Sequence, residues 1–154
     1  MPHSLVTLVA AVFGLLSVLA MPVLAAGTDD GSSETAAIAA DYDEAKAMVA
    51  AGNFVAALPA LMTLTAEDAR NADAWNLLGF THRKLDHLDD SAAAYLTALT
   101  LNPDHLGALE YQGELFLQTG QPDLARANLT RLQGLCGDCE EYLDLAEAIE
   151  AAGA

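Results

Sequence analysis

The side chains best suited to chemistry are the chain's only two cysteines, Cys136 and Cys139, in the stretch "LCGDCEEYLDL" from Leu135 to Leu145. Their spacing admits three chemistries: a dithiol that exchanges electrons, half of a thiolate metal site, or a structural bridge. His105, with Asp104 before it and Asp138 between the cysteines, supplies the imidazole and carboxylates that zinc or Cu(I) would also need. Of the remaining histidines, His3 belongs to an apolar N-terminal stretch, and His82 and His87 lie near one turn, where His82 reads as a core or half-exposed side chain rather than a ligand. No Ser/His/Asp arrangement at meaningful spacing, no Gly-rich phosphate loop and no carboxylate pair stands apart from ordinary solvated helical faces. The sequence therefore assigns no catalytic residue, no cofactor and, outside the cysteine alternative, no metal.

The compartment bears on the choice among the three. Residues 5–19 are apolar except for Thr7, Gly14 and Ser17, and are followed by Pro22 and the small-residue pattern Val23 to Ala25. That is the layout of a secretory signal over residues 1–25, cleaved after Ala25. The preceding residues lack Lys and Arg, so a retained N-terminal anchor is the alternative, although the run is shorter than the roughly 20 residues of a membrane span. No cysteine follows the run to carry a lipid. The expected location is periplasmic or secreted, with no membrane insertion once the signal is removed. Free thiols seldom persist in such a compartment.

All 22 acidic and all 6 basic residues follow Ala25, so the formal charge of -16 falls on the remainder. A field of that sign excludes nucleic acid and anionic bilayers as partners, because phosphate binding needs a clustered basic surface, and it attracts basic partners or cations. Residues 26–36 are small, polar and acidic, a flexible leader with nothing to bury. From Ile38 onward Ala and Leu recur at helical spacing without strand-like alternation, so the chain is all-α. Turn signals at Gly52, Asp68 to Asn71, Asp86, Pro103, Gly120 and Gly137 divide it into short helices, each too one-sided to stand alone in water.

The helices repeat in pairs. When the chain is laid on itself so that Ala45 meets Gly79 and Gly79 meets Gly113, the same offset brings Gly52, Asp86 and Gly120 into a second column and Ala57, Ser91 and Ala125 into a third. Leu61, Tyr95 and Leu129 make a fourth, and Leu64, Ala98 and Leu132 a fifth. The middle unit, "AWNLLGFTHRKLDHLDDSAAAYLTALTLNPD", resembles the tetratricopeptide repeat at Trp75, Leu78, Gly79, Tyr95, Ala98 and Pro103, and departs from it at His82 and Ser91. The resemblance implies three helix-turn-helix units, about 38–71, 72–105 and 106–135, stacked over residues 37–135 as a right-handed α-solenoid. Residues 136–154 then form the Cys-x-x-Cys turn and a capping helix, with a narrow apolar stripe of Tyr142, Leu143, Ala146 and Ile149. Pro59, inside the second helix of the first unit, removes one backbone hydrogen bond and is expected to bend it.

In this family the first helix of each pair lines a concave groove. Carried over position by position, the groove is Tyr42 and Lys46 from the first unit, Asp73, Asn76, Phe80 and Arg83 from the second, and Gly107, Glu110, Glu114 and Leu117 from the third. It reads as basic and aromatic in the middle and acidic toward its C-terminal end. Family members that clamp a C-terminal carboxylate use Lys, Asn and Arg; Lys46 and Asn76 imitate part of that clamp, but Glu110 and Glu114 stand where further cations are needed. The resemblance thus implies a non-catalytic scaffold, adaptor or assembly factor for a protein or peptide partner, and the apolar end of the array leaves a homo-oligomer open. Antiparallel pairing also places His105 at the edge where Cys136 ends the third unit. A disulfide between Cys136 and Cys139 is the preferred reading, and a metal or thiol-redox accessory protein using these cysteines with His105 is the alternative.

Overall fold

The computed structural model describes residues 41–153; the signal, the leader and the beginning of the first unit, as read from the sequence, lie outside the described residues. Among the described residues there are seven helices and no strand: α1 (residues 41–50), α2 (Phe54–Glu67), α3 (Ala72–Lys84), α4 (Leu88–Leu101), α5 (Leu106–Gln118), α6 (Pro122–Cys136) and α7 (Glu140–Ala151). None is long and apolar enough to cross a membrane. The chain is an α-solenoid in which α3 packs along α4 and α5 along α6, while α2 on α3 and α4 on α5 join neighbouring pairs.

The three turns inside the pairs share one construction. Gly52, Asp86 and Gly120 have positive φ, of 76°, 64° and 73°. At each, the N–H of the following residue donates back across the turn: Asn53 to the Met48 carbonyl (2.9 Å), His87 to His82 (2.9 Å) and Gln121 to Phe116 (2.7 Å). This closure satisfies the last helical carbonyls and requires a left-handed residue, which glycine adopts freely and Asp at some cost. Two helix starts use different devices. The Asn71 side chain accepts from the Ala74 N–H (3.0 Å) to start α3, and Pro122 opens α6, where a missing N–H has no cost.

Close approach within the pairs depends on the small-residue columns. Ala45, Ala57, Ser91 and Ala125 are fully buried, and the Ser91 hydroxyl donates to the Gly79 carbonyl at 2.8 Å. A Cβ on Gly79 would lie 2.7 Å from the buried Tyr95 ring. Around these contacts two apolar clusters form, one from Ala45, Val49, Ala57, Leu61, Leu64, Leu78 and Ala94, the other from Leu109, Ala125, Leu132, Leu145 and Ile149. The second explains why α7 is needed: Leu145 fills the space over Gly113, where a Cβ would lie 2.6 Å from it, and covers a face that α5 and α6 would otherwise leave wet. The expected stripe on α7 is corrected here. Leu143 is 53% exposed, and Tyr142, Leu145 and Ile149 face inward, because the three- and four-residue spacing that meets α5 starts at Tyr142. Helix α2 runs on through Pro59, which is exposed.

Candidate functional site

The first helices of the pairs, α1, α3 and α5, carry the residues expected to line the groove, and two different environments result. On the N-terminal side, Phe80 of α3 is the centre. Its ring lies 4.7 Å from that of Tyr111 on α5 and 6.1 Å, edge-on, from that of Phe54 at the start of α2. The Arg83 guanidinium lies 5.4 Å and the Lys84 ammonium 5.1 Å from the centre of the Phe80 ring, a distance at which the ring's quadrupole attracts a cation. Beside these rings is an open cavity of about 410 Å³ lined by Lys46, Val49, Ala50, Gly52, Phe54, Leu77, Phe80 and Tyr111. All three units contribute to it, and its walls are largely apolar with Lys46 at the edge. That combination suits an apolar side chain next to a polar or acidic one.

The C-terminal side is closed upon itself. Arg83 is only 10% exposed and forms an ion pair with Glu114. Glu110 is buried, 7% exposed, and its carboxyl is pushed up from 4.5 to about 8, first by burial and then by Glu114, Asp144 and Glu141, with Arg83 opposing. At neutral pH Glu110 therefore holds its proton, and the acidity expected at this end belongs to Glu114 and to α7. Burial, Glu110 and Glu114 also raise the Tyr111 hydroxyl above its ordinary range. Leu117 packs against the C-terminal apolar cluster.

The remaining expected groove residues spread along the face. Tyr42 is half-buried, its hydroxyl raised first by burial and then by Asp73 and Asp43. Asn76 turns its amide toward Gly107, where a Cβ would lie 3.3 Å from Nδ2, and its buried Oδ1 has no hydrogen-bond partner. Asp73, exposed on the first turn of α3, holds a carboxylate oxygen 3.0 Å from His105 Nε2. The structure thus brings together Lys46, Phe80 and, through Phe80, Arg83; it separates these from Asp73 and Leu117. Reading the groove columns alone misses Phe54, Leu77, Lys84 and Tyr111. Leu77 and Tyr111 hold the same position in successive units and are both large and apolar, a signal that was present in the sequence just beside the columns used.

His105 overturns the cysteine alternative. Its Nδ1 accepts from the Ala108 N–H at 3.2 Å, so that it starts α5, and its Nε2 turns to Asp73 of the preceding unit. It does not join Cys136 and Cys139, which are linked to each other with their Cα atoms 5.6 Å apart, and the Cys136–Cys139–His105 metal set is not formed. The cause is the N-cap geometry of a histidine: accepting the backbone N–H with Nδ1 points the other nitrogen at α3 rather than along α6.

Helix pairs stacked in succession and closed by α7 define a helical-repeat solenoid. A family model described as tetratricopeptide repeat matches residues 72–105, the second pair. The second pair is thus a tetratricopeptide repeat, and the described residues have the fold of stacked helical repeats. No curated protein matches the sequence. Among solved structures it is similar to the type III secretion translocator chaperone SycD of Yersinia enterocolitica, at 17% identity and a TM-score of 0.68 over 76% of this chain and 90% of that one. SycD is also known in complex with a peptide of the translocator YopD, at the same identity and a TM-score of 0.66 over 76% and 92% of the two chains. The first tetratricopeptide domain of Spaghetti (RPAP3), bound to the HSP90 peptide SRMEEVD, is similar at 14% identity and a TM-score of 0.67 over 76% and 94%. MamA of Desulfovibrio magneticus RS-1 is similar at 21% identity and a TM-score of 0.60 over 64% and 55%. At such identities the likeness is one of fold.

Proposed function

We propose that this chain is a non-catalytic interaction module of the periplasm, a scaffold or assembly factor that holds a peptide or an extended segment of a protein partner along its concave face. One observation carries the reading: a cavity of about 410 Å³ built across all three units, floored by Phe54, Phe80 and Tyr111 and edged by Lys46. Such a cavity takes one apolar or aromatic side chain as an anchor, with Lys46 and Lys84 favouring an acidic neighbour on the partner. The similarity in fold to proteins solved with a YopD peptide and an HSP90 peptide supports a peptide ligand. The carboxylate-clamp mode is not proposed for this chain, because Arg83 is taken up by Glu114 and Glu110 is buried. The apolar run of residues 5–19 supports export.

The test is selection of a displayed random-peptide library on the full chain lacking its signal. Recovered peptides are expected to converge on a large apolar residue flanked by Asp or Glu, and to lose about tenfold or more in affinity when Phe80 is replaced by Ala, as anchor positions do. Convergence on a basic consensus, or binding indifferent to Phe80→Ala, would overturn the reading.

A further inference from the structure

Among the described residues, one group of three side chains with metal-ligating atoms comes together: His82, at the end of α3, with His87 and Asp90, at the start of α4. Their ligand atoms all lie within 4.8 Å of one another, and the two imidazole Nδ1 atoms are 3.4 Å apart. As a hydrogen bond that distance is long, since N–H donors prefer roughly 2.7–3.2 Å. As the edge of a coordination tetrahedron it fits, because two nitrogens each about 2.0–2.1 Å from zinc stand about 3.3 Å apart. From this geometry we infer that the turn of the second unit is a binding site for one divalent transition-metal ion, held by His82, His87 and the carboxylate of Asp90, with the remaining coordination open to water.

The backbone that presents these side chains is fixed by the fold. The His87 N–H donates to the His82 carbonyl at 2.9 Å, and the Ser91 N–H donates to the His87 carbonyl at 3.0 Å, so the turn holds the two backbones from which the rings project at a set separation. The same closure recurs in the first and third units, which serve as internal controls. There the positions equivalent to His82, His87 and Asp90 are Met48, Asn53 and Ala56, and Phe116, Gln121 and Leu124. Only the second unit carries ligating side chains at all three, and it does so by placing a histidine where its neighbours have apolar residues. His82 is half-buried, while His87 and Asp90 are exposed, which gives an ion an anchored ligand and an open approach. Two imidazoles and one carboxylate select borderline ions such as Zn(II) or Co(II) over the harder Mg(II) and Ca(II). Such an ion would tie the end of α3 to the start of α4. This inference does not depend on what the concave groove binds.

The test uses the untagged full chain lacking its signal, treated with chelator and then titrated with Zn(II) by calorimetry and with Co(II) by absorption. Trp75, the only tryptophan, lines the same cleft of about 300 Å³ as His82, so Co(II) at the site is expected to quench its fluorescence. The expected result is one ion per chain, visible d–d bands, and affinity about tenfold or more weaker in His87→Ala, a first-sphere loss at least as large as the outer-shell losses measured elsewhere. His87 is exposed and makes no side-chain cap to α4, so this variant leaves the fold intact, which far-UV circular dichroism checks. Asp90→Asn is expected to weaken binding less. Absence of saturable Zn(II) binding, or binding and quenching unchanged in His87→Ala, would overturn the site.

Discussion

The two ends of the concave face are built from equivalent positions in successive units, yet one is open and the other closed. Lys46, Phe80 and Glu114 occupy one column of the repeat: the first is exposed at the edge of a cavity, the second is its aromatic wall, and the third is tied to Arg83. What differs is the neighbour. The N-terminal side faces aromatic rings from α2 and α5, whereas on the C-terminal side burial, then Glu114, and then Asp144 and Glu141 of α7 keep the Glu110 carboxyl protonated. A repeat position therefore specifies where a side chain stands and leaves its chemistry to whatever the adjacent helix brings.

The sharpest way to separate the two ends is through their glycines. Both neighbours are fully buried, but Gly79→Ala forces a methyl against the rigid Tyr95 ring, whereas Gly113→Ala meets the flexible branched end of Leu145 on α7. Overpacking of the first kind is expected to cost about 2–3 kcal/mol even after the gain in helix propensity, and the second about 1 kcal/mol or less. Urea unfolding of the two variants measures both; equal costs would mean that α7 is held as firmly as α4.

A pH-dependent effect probes the closed end. Folded Glu110 keeps its proton up to about pH 8, while the unfolded chain releases it near 4.5. Its contribution to stability is fully present below the lower value and is lost as pH rises to the higher one. Glu110→Gln is therefore expected to leave stability near pH 4.5 almost unchanged and to raise it by about 4 kcal/mol at pH 8. A parallel pH dependence in wild type and variant would place Glu110 in water rather than under α7.

Much of the fold was legible because the repeat puts the same physical demand on three side chains at once. Asp86 shows how far that goes: standing in a glycine column, it announces a left-handed turn residue, and it has a φ of 64°. The capping helix was legible in its extent but not in its face, since Leu143 and Leu145 are equally apolar and only the position of Gly113 decides which is buried. The site was legible as a surface and not as a site. Phe80 and Lys46 could be assigned to the groove, but the cavity needs Tyr111 and Phe54, whose approach depends on how neighbouring pairs are rotated. Likewise the sequence offered His105 to the cysteines, and the hydrogen bond that starts α5 directs it to Asp73 instead.

We propose that a partner anchors at the open end and not at the closed one. It is tested most directly by measuring, for one selected peptide labelled with a fluorophore, the affinities of Tyr111→Ala and Glu114→Gln against the unaltered chain. A loss of about tenfold or more is expected for Tyr111→Ala and a change of less than about twofold for Glu114→Gln. The reverse pattern, with Glu114 required and Tyr111 indifferent, would contradict it.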